Sequence, residues 1–530
     1  MTQELFFRTE DLRPDEVSTY FVETSGDRAI IDALKGRSPV LLRGSRGVGK
    51  SFLLRVAEAE MKASFHEDRV LPVYLTFARA GLINQQDQDF LPWMTSKIAN
   101  SVQRAITSYG LQIPDSSSLA QLIGGSTGNS TAPSMMEKIT AAFEQFWAKP
   151  DGNQSSSTPP PEEIKDAIEQ LCDEIGVRRI ALLVDEAAHV FIPEQQRQFF
   201  TLMRDLRSPY LSVKAAVYPG ATSYGESFQP THDASVLDVE RPVTETSYAP
   251  AMREIVFKQD PSREKDIDQH GEAFDTLAFA ATGNPRILLK TLNRRTPLRQ
   301  NSARETIREY YRDEIWAEHS TLSERYPGHS ALIDWGRDFL EGEVLPAVHA
   351  RNQRETQMCS AIWIHRDAPQ IVREALKLLC YSGILQEGVS GIRATRSEVG
   401  TRYMINVGCN LAQDGDPLVY GLRLRRTLSK KRMLEFGANH AAYRSIENIS
   451  LESLEKGQNA ALNARLASPI DCLDLTHFQK QNLTHLKLVT IGDVLSADEE
   501  LFKTRPYVGD VRARQMRNAA ITAVIEYLSG

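Results

Sequence analysis

Eight consecutive residues have the types and spacing for phosphate chemistry. Gly44, Ser45, Arg46, Gly47, Val48, Gly49, Lys50 and Ser51 satisfy the pattern GxxxxGK[ST]. The glycines let successive backbone N–H groups turn inward around a phosphate without a Cβ clash, and a following helix adds the partial positive charge of its N-terminus. Lys50 is placed to reach the β and γ phosphates of a nucleoside triphosphate, and the Ser51 hydroxyl to ligate Mg2+. A glycine-rich turn can also join a strand to a helix without any ligand. The flanks argue against that, because "VLLR" at 40–43 reads as a buried strand and "SFLLRVAEAEMKASF" as an amphipathic helix.

Such a loop needs a second, acidic strand. "RRIALLVDEAAHVF" supplies it: the apolar run Ile180 to Val184 reads as a central parallel strand, and Asp185 and Glu186 fall at its C-terminal edge, where open α/β sheets bind ligands. Asp185 is expected to hold Mg2+ through water, and Glu186 to orient or deprotonate the attacking water. A further strand-like run, "SVKAAVYPGATSYG", ends in Tyr218, Thr222 and Ser223, placed to sense the γ-phosphate. At "GNPRILLKTLNRR", Pro285 opens a helix from which Arg286 could reach back to the phosphates; an ordinary surface arginine is the alternative.

Taken together, the phosphate loop at Gly44 to Ser51, the Asp185 and Glu186 pair, the strand ending near Thr222 and the turn Gly283-Asn284-Pro285-Arg286 resemble the AAA+ ATPases of the origin-recognition (ORC/Cdc6) type, with overlap toward the STAND signalling ATPases. The resemblance covers about residues 15 to 320. It implies a sensor role for Arg286, a place near adenine for Pro285, and a catalytic constellation of Lys50, Glu186, Arg286 and Thr222 with ATP and Mg2+ as cofactors. It also implies nucleotide-dependent assembly into a homo-oligomer, in which Arg204 and Arg207 stand where an arginine finger could lie, although both also read as helix-surface residues.

These groups need a multidomain chain to position them, and 530 residues at roughly 150 per domain allow three or four. The expected order is an α/β nucleotide-binding base over 1–230, a helical lid and connector over 231–320, a winged helix over 321–415, a basic linker over 416–467, and a small all-α module over 468–530. The base carries an expected surface insertion at about 111–162. Its ends, "PDSSSLAQLIGGSTGNSTAPS" and "KPDGNQSSSTPPP", are too poor in apolar residues for a core, and they bracket a helical "MMEKITAAFEQFW".

In the C-terminal half, "APQIVREALKLLCYSGILQE" reads as a helix stopped by Gly383, and "GIRAT" and "RYMINVG" as a hairpin. A helix followed by a hairpin is the pattern of a winged helix, whose helix enters a DNA major groove while the wing touches phosphates; Leu376, Leu378, Leu379 and Tyr381 make this helix largely apolar, so a winged helix that binds only proteins stands equally open. "GLRLRRTLSKKRMLEFG" gathers Arg423, Arg425, Arg426, Lys430, Lys431 and Arg432, either a solvated helix face or a phosphate-backbone contact. The last segment is similar to the C-terminal domain of the bacterial RNA polymerase α subunit, a helix-hairpin-helix-like module. The likeness rests on Leu473, Leu475, Leu483, Ile491, Gly492, Asp493, Leu501, Lys503 and Gly509. Phe478 stands where that family carries a DNA-contacting arginine, and Asp510 and Val511 replace a basic pair. Arg512, Arg514 and Arg517 offer another basic face, so DNA and a protein partner both remain open for this module.

Composition narrows the field. With 62 Lys and Arg against 69 Asp and Glu the net charge is -7, so any double-stranded DNA must be met by a local basic surface. The five cysteines, Cys172, Cys359, Cys380, Cys409 and Cys472, lack CxxC spacing and read as reduced thiols. No charged-then-apolar leader and no apolar run of about 20 occurs, so a cytoplasmic protein without a membrane partner is expected. His232 with Asp233, and His365, have no second ligand at metal spacing. Two functions fit: an ATP-binding, ATP-hydrolysing protein whose nucleotide state controls DNA association or assembly, or a STAND-type switch that oligomerises or recruits a protein on binding ATP, without contacting DNA.

Overall fold

The computed structural model describes residues 5–24, 26–77, 90–114, 116–123, 159–187, 193–219, 222–225, 227–295, 297–325, 329–393, 398–429, 431–447 and 466–529. The first half is built on five parallel strands, β1 (Val40–Arg43), β2 (Val70–Thr76), β3 (Arg179–Asp185), β4 (Leu211–Val217) and β5 (Ser235–Asp238), in the order β2-β3-β4-β1-β5. Strands β3 and β4 are buried at every residue, so the Ile180 to Val184 stretch of β3 reads as an unbroken apolar run, while β4 buries Ser212 and Lys214 among its apolar residues. Side chains of β3 alternate between two cores: Ile180, Leu182 and Val184 join one, Ala181 and Leu183 the other.

Helices α1 (Asp27–Lys35) and α2 (Lys50–Ala63) cover one face through Ile31, Leu34, Leu53 and Leu54. The other face carries α3 (Phe90–Ser108), α4 (Ser118–Ile123), α5 (Pro161–Glu174) and α6 (Pro193–Asp205), with Phe77, Trp93, Phe199 and Phe200 forming an aromatic cluster. Helix α4 falls inside the stretch expected to be a surface insertion without a core. Instead Leu119 is fully buried and α4 packs on α5. One apolar residue per turn suffices when a neighbouring helix supplies the other wall. The segment "MMEKITAAFEQFW" lies outside the described residues.

The lid helices α7 (Tyr248–Gln259), α8 (Gly271–Ala280) and α9 (Pro285–Arg294) lead into α10 (Gln300–Glu309), which continues through a π turn at Tyr310–Glu314. Helix α11 (Ser330–Asp338) then packs on α12 (Gln370–Tyr381) beside a second sheet. That sheet comprises β6 (Ala361–His365), β7 (Leu385–Arg393), β8 (Val399–Ile405) and β9 (Leu434–Phe436) in the order β7-β8-β6-β9. Strands β7 and β8 pair antiparallel, as the helix-and-hairpin reading expects. Flanking strands β6 and β9 were not foreseen.

Two expectations change here. No residue of α12 is exposed, and eight of its twelve side chains are buried. The helix expected to enter a major groove therefore has no free face to present, because α11, β7 and the C-terminal module pack around it. The 416–467 stretch, expected to be a linker, is packed where it is described. Helix α13 (Pro417–Thr427) buries Leu418, Tyr420 and Leu424, Arg304 pairs with its capping Asp416 at 2.9 Å, and β9 joins the sheet. In this helix the arginines mark the outer face of an amphipathic element.

One continuous core runs from Met252 in the lid through Leu288, Tyr311, Leu379 and Ile405 to Ile446. Lid and C-terminal unit thus pack through a shared core. A separate small core, including Leu473, Leu483, Ile491, Phe502 and Met516, holds α14 (His477–His485), α15 (Ile491–Ser496), α16 (Glu499–Lys503) and α17 (Asp510–Ser529) together. Leu501, one of the residues on which the likeness of this module rests, is 40% exposed. No helix among the described residues is long and apolar enough to cross a membrane. Cys172, Cys359, Cys380 and Cys409 are buried and Cys472 is exposed, all as free thiols.

Gly408 tests the continuous core. A Cβ there would enter the Tyr311 ring, whereas one at Gly415 would meet open space. Gly408→Ala is expected to lower stability by about 1–3 kcal/mol in urea unfolding, and Gly415→Ala by less than about 0.5 kcal/mol.

Candidate nucleotide site

At the C-terminal edge of the first sheet the chain leaves β1 and wraps into the loop that precedes α2. Gly47 (φ +87°) and Gly49 (φ +103°) adopt left-handed backbone conformations. At Gly47 the lack of a side chain is also a packing requirement, since a Cβ would lie 2.7 Å from Asn284 Oδ1 and 2.8 Å from Arg286 Cβ. The lid turn presses directly on the loop. Asn284 caps α9 by accepting from Ile287 N at 3.3 Å and donates through Nδ2 to Arg46 O at 2.8 Å. Pro285 takes the first helical position, where its missing N–H costs nothing.

A cavity of about 440 Å³ opens over this loop. It is lined by Arg46 to Ser51, Glu186, Tyr218, Pro285 and Arg286, and on its outer side by Phe6 to Leu12. Sequence reasoning did not foresee this last strap. It is tied to the lid by Leu5, whose backbone exchanges two hydrogen bonds with the Asn293 side chain at 3.1 and 2.7 Å, and by Phe7 O, which accepts from Arg286 Nε at 3.1 Å. Burial pushes the Arg286 guanidinium below its ordinary range.

Lys50 is the buried cation of the cavity. Its Nζ donates to Gly44 O at 2.5 Å and Ser45 O at 3.0 Å and lies 4.0 Å from the Tyr218 ring centroid. Burial pushes the ammonium down to about 7, against the attraction of Asp185. Carbonyl dipoles and a ring face compensate a full charge incompletely, so the group is suited to an anion entering the cavity.

Gly44, Ser45, Asp185 and Thr222 stand behind the lining. Gly44 continues the sheet by donating to Val217 O at 3.3 Å. Asp185 accepts from Tyr74 OH at 2.6 Å and from Glu186 N at 2.9 Å, which fixes both of its oxygens. Glu186 sits at φ +53°, a strained conformation for a residue with a side chain, and burial and Asp185 raise its carboxyl above the usual range. Thr222, expected to sense a phosphate, is not among the lining residues; its Oγ1 donates to Tyr218 O at 2.7 Å. Ser223 N donates to Gln196 Oε1. At the end of β4 it is Tyr218 that meets the cavity. Arg204 pairs with Asp205 at 3.0 Å and donates to Ser227 O at 2.9 Å, as a helix-surface residue does. Among the described residues no cluster of His, Cys, Asp or Glu suited to a metal forms, around His232 and His365 or elsewhere.

Several contributors lay beyond motif reading. Tyr74, two residues from the end of β2, orients Asp185 from the neighbouring strand. Arg241 donates to Val48 O and reaches Asp27 at 3.4 Å, bracing the loop from below. For Tyr74 the only sequence signal is a polar group near the end of a buried strand, and Arg241, beyond the end of the partly exposed strand β5, carries none.

The donor set fits a nucleotide with a hard divalent cation. Glycines leave a cradle that a Cβ would fill, Lys50 is a buried cation without a carboxylate bonded to it, and Ser51 and Asp185 offer oxygen ligands. A parallel five-stranded sheet with this loop at its edge defines a P-loop protein and fits an ORC/Cdc6-type AAA+ core. The ORC-CDC6-like family model matches residues 6–82. Over that stretch, which holds the phosphate loop, the chain is similar to the ORC/Cdc6 type of AAA+ P-loop protein.

Among solved structures, the chain is similar to the Walker-type ATPase of Pyrococcus abyssi, at 13% identity and a TM-score of 0.37, covering 79% of this chain and 97% of that one. It is also similar to the Aeropyrum pernix ORC1 protein in complex with DNA, at 14% identity and 0.30, covering 78% and 95%. For the Aeropyrum pernix ORC2 protein in its ADPNP-ADP complexes the figures are 11% and 0.34, covering 77% and 98%. Overlays this loose transfer no residue and no role. A comparison with curated proteins returns no match.

Tyr74→Phe removes one hydrogen bond from Asp185 and leaves the ring in place. The Mg2+ concentration needed for half-maximal nucleotide binding is expected to rise about tenfold, with the fold unchanged by circular dichroism.

Proposed function

We propose that this chain binds ATP with Mg2+, hydrolyses it, and uses the nucleotide state to control its association with DNA or its assembly. The observation that carries the reading is the cavity in which a buried, carbonyl-bound Lys50, the strained Glu186 and the lid residue Arg286 converge. In this reading the loop amides and Lys50 hold the phosphates, and the ammonium exchanges two carbonyl partners for phosphate oxygens. Ser51 and Asp185 would hold Mg2+, which neutralises developing phosphate charge when bound. Glu186, already inclined to hold a proton, takes one from the attacking water. Arg286 leaves Phe7 O for the triphosphate, and the lid moves with it.

Because the lid and the C-terminal unit share one core, closing the lid would reposition everything downstream as a body. For DNA the available cations are those left over from internal pairing. Arg425 is bound to Asp275 at 3.0 Å and Arg423 donates to Asn352 O, whereas Arg426, Lys431 and Arg432 are exposed. Lys430 lies outside the described residues. In this reading the β7-β8 hairpin serves as the wing of a winged helix, and α12 is structural.

A second reading, the STAND-type switch that recruits a protein, is favoured by one observation. Among the described residues, Phe478, Val489, Leu501, Tyr507 and Val511, five of the six large hydrophobic side chains that are exposed, lie in the C-terminal module. The RNA polymerase α-like module would then be a docking head.

Two measurements test these readings. Lys50→Ala is expected to abolish ATP binding by calorimetry, and Glu186→Gln to bind ATP normally while turning over at least about a hundredfold more slowly; normal turnover would remove Glu186 from its role. For DNA, the logarithm of duplex affinity against the logarithm of salt should fall steeply in the ATP state, with a slope reduced by about 2 to 3 when Arg426, Lys431 and Arg432 are reversed to Glu. Absence of duplex binding together with ATP-dependent assembly in sedimentation would favour the switch.

A further inference from the structure

The wall of the cavity beside Lys50 is finished by a residue from the far half of the chain. Tyr218 follows the last residue of β4, and its ring forms the face against which Lys50 Nζ rests at 4.0 Å. A ring at the end of a strand has two accessible side-chain directions, over the cavity or away from it, and here the choice is made by packing. The ring of Tyr381, in the last turn of α12, meets Tyr218 edge to face, with centroids 5.0 Å apart and an interplanar angle of 60°. Both rings are buried, Tyr218 at 5% and Tyr381 at 2% exposure.

Tyr381 is itself held in place. Gly383, at φ +77°, turns the chain from α12 into β7. Gln386 on β7 then donates through Nε2 to Thr282 O at 2.9 Å, and Val407 N donates to Thr282 Oγ1 at 2.7 Å. Thr282 lies two residues before Asn284, the lid residue bonded to the phosphate loop. The C-terminal unit thus grips the nucleotide site at two points, the lid turn and the Tyr218 ring.

We propose that Tyr381 is a positioning residue of the nucleotide site: by packing against Tyr218 it holds that ring at the flank of Lys50, so that docking of the C-terminal unit sets the affinity of the loop for a triphosphate. The proposal rests on the ATP reading above. Its physical basis is that the cation's preference for the ring face exists only while the face stays turned toward it. Linkage makes the effect reciprocal: whatever draws the C-terminal unit off β4 weakens nucleotide binding, and a bound nucleotide strengthens the docking.

The test is a double-mutant cycle on the full chain, reading MgATP affinity by calorimetry and turnover at saturating ATP. Tyr381→Phe keeps the ring and is expected to bind within about twofold of wild type. Tyr381→Leu fills the space without a ring and is expected to bind about tenfold more weakly, with saturated turnover within about twofold. Tyr218→Leu should weaken binding to a similar extent, and the double variant no further than Tyr218→Leu alone. Should Tyr381→Leu fail to fold, Tyr381→Met is read by the same criteria. Wild-type affinity in the ring-less variant, or a loss that adds in full to that of Tyr218→Leu, overturns the proposal while the ATP reading stands. A wild-type chain that binds no MgATP overturns both.

Discussion

The hydrogen bond from Asn284 to Arg46 O, closed over a glycine that can carry no side chain, is the contact on which the rest depends. It joins the two halves of the chain at the one place where both have functional backbone. On the loop side, Gly47 must be bare because Asn284 and Arg286 occupy the volume of its Cβ. On the lid side, the same Asn284 oxygen caps α9, so the geometry that starts the lid helix also presents Arg286 to the cavity. Gly283 extends the constraint. A Cβ there would lie 2.5 Å from Arg241 O, and Arg241 in turn braces the loop at Val48. Gly283, Asn284 and Arg286 of the lid turn, Arg46, Gly47 and Val48 of the loop, and Arg241 are therefore mutually determined.

A local contact of this kind has long-range consequences only if the lid is stiff, and the continuous core supplies the stiffness. Interiors packed at crystal-like density transmit displacement instead of absorbing it. The turn at Thr282 is bonded to β7 and to Val407, α10 is tied to α13 through Arg304 and Asp416, and the Tyr310 and Tyr311 rings fill the space between lid and second sheet. A rotation of α9 about the phosphate loop would carry the second sheet with it. The small C-terminal module has its own core and packs on this body through α12 and Ile521.

The parts of the site that could be read from sequence are those whose chemistry is contiguous: the loop, the acidic end of β3 and the lid turn each bring their functional groups within eight residues. What escaped reading was the support. Tyr74, Arg241, Asp27 and Tyr381 act across strands or across domains, and a lone polar residue at the end of an apolar run carries no mark of the partner it will find. A strand ending near Thr222 was expected, yet which of its three polar residues would face the cavity depends on contacts such as that of Thr222 Oγ1 with Tyr218 O, which the sequence does not display. In the C-terminal half, the apolar composition of α12 signalled burial. Groove entry needs an exposed polar face, and the helix-and-hairpin order alone could not say that β6 and β9 would extend the sheet or that α13 would pack.

Charge placement decides how a chain of net charge -7 could approach a polyanion. In the C-terminal module three bases are committed locally: Lys503 pairs with Glu500 at 2.7 Å and with Asp510 at 2.5 Å, Arg512 donates to Tyr507 O at 2.6 Å and lies 5.4 Å from the Phe478 ring centroid, and Arg505 donates to Asn482. A cation already paired with a carboxylate releases few counterions on meeting phosphate, because its own field is largely cancelled. Arg512 over Phe478 instead makes an apolar face with a positive rim, the composition of a protein-binding patch. The free cations beyond α13 stand on the body that moves with the lid. Within the proposed function, nucleotide-controlled contact with phosphates therefore belongs to the α13-β9 segment, and partner recruitment to the module that hangs from it.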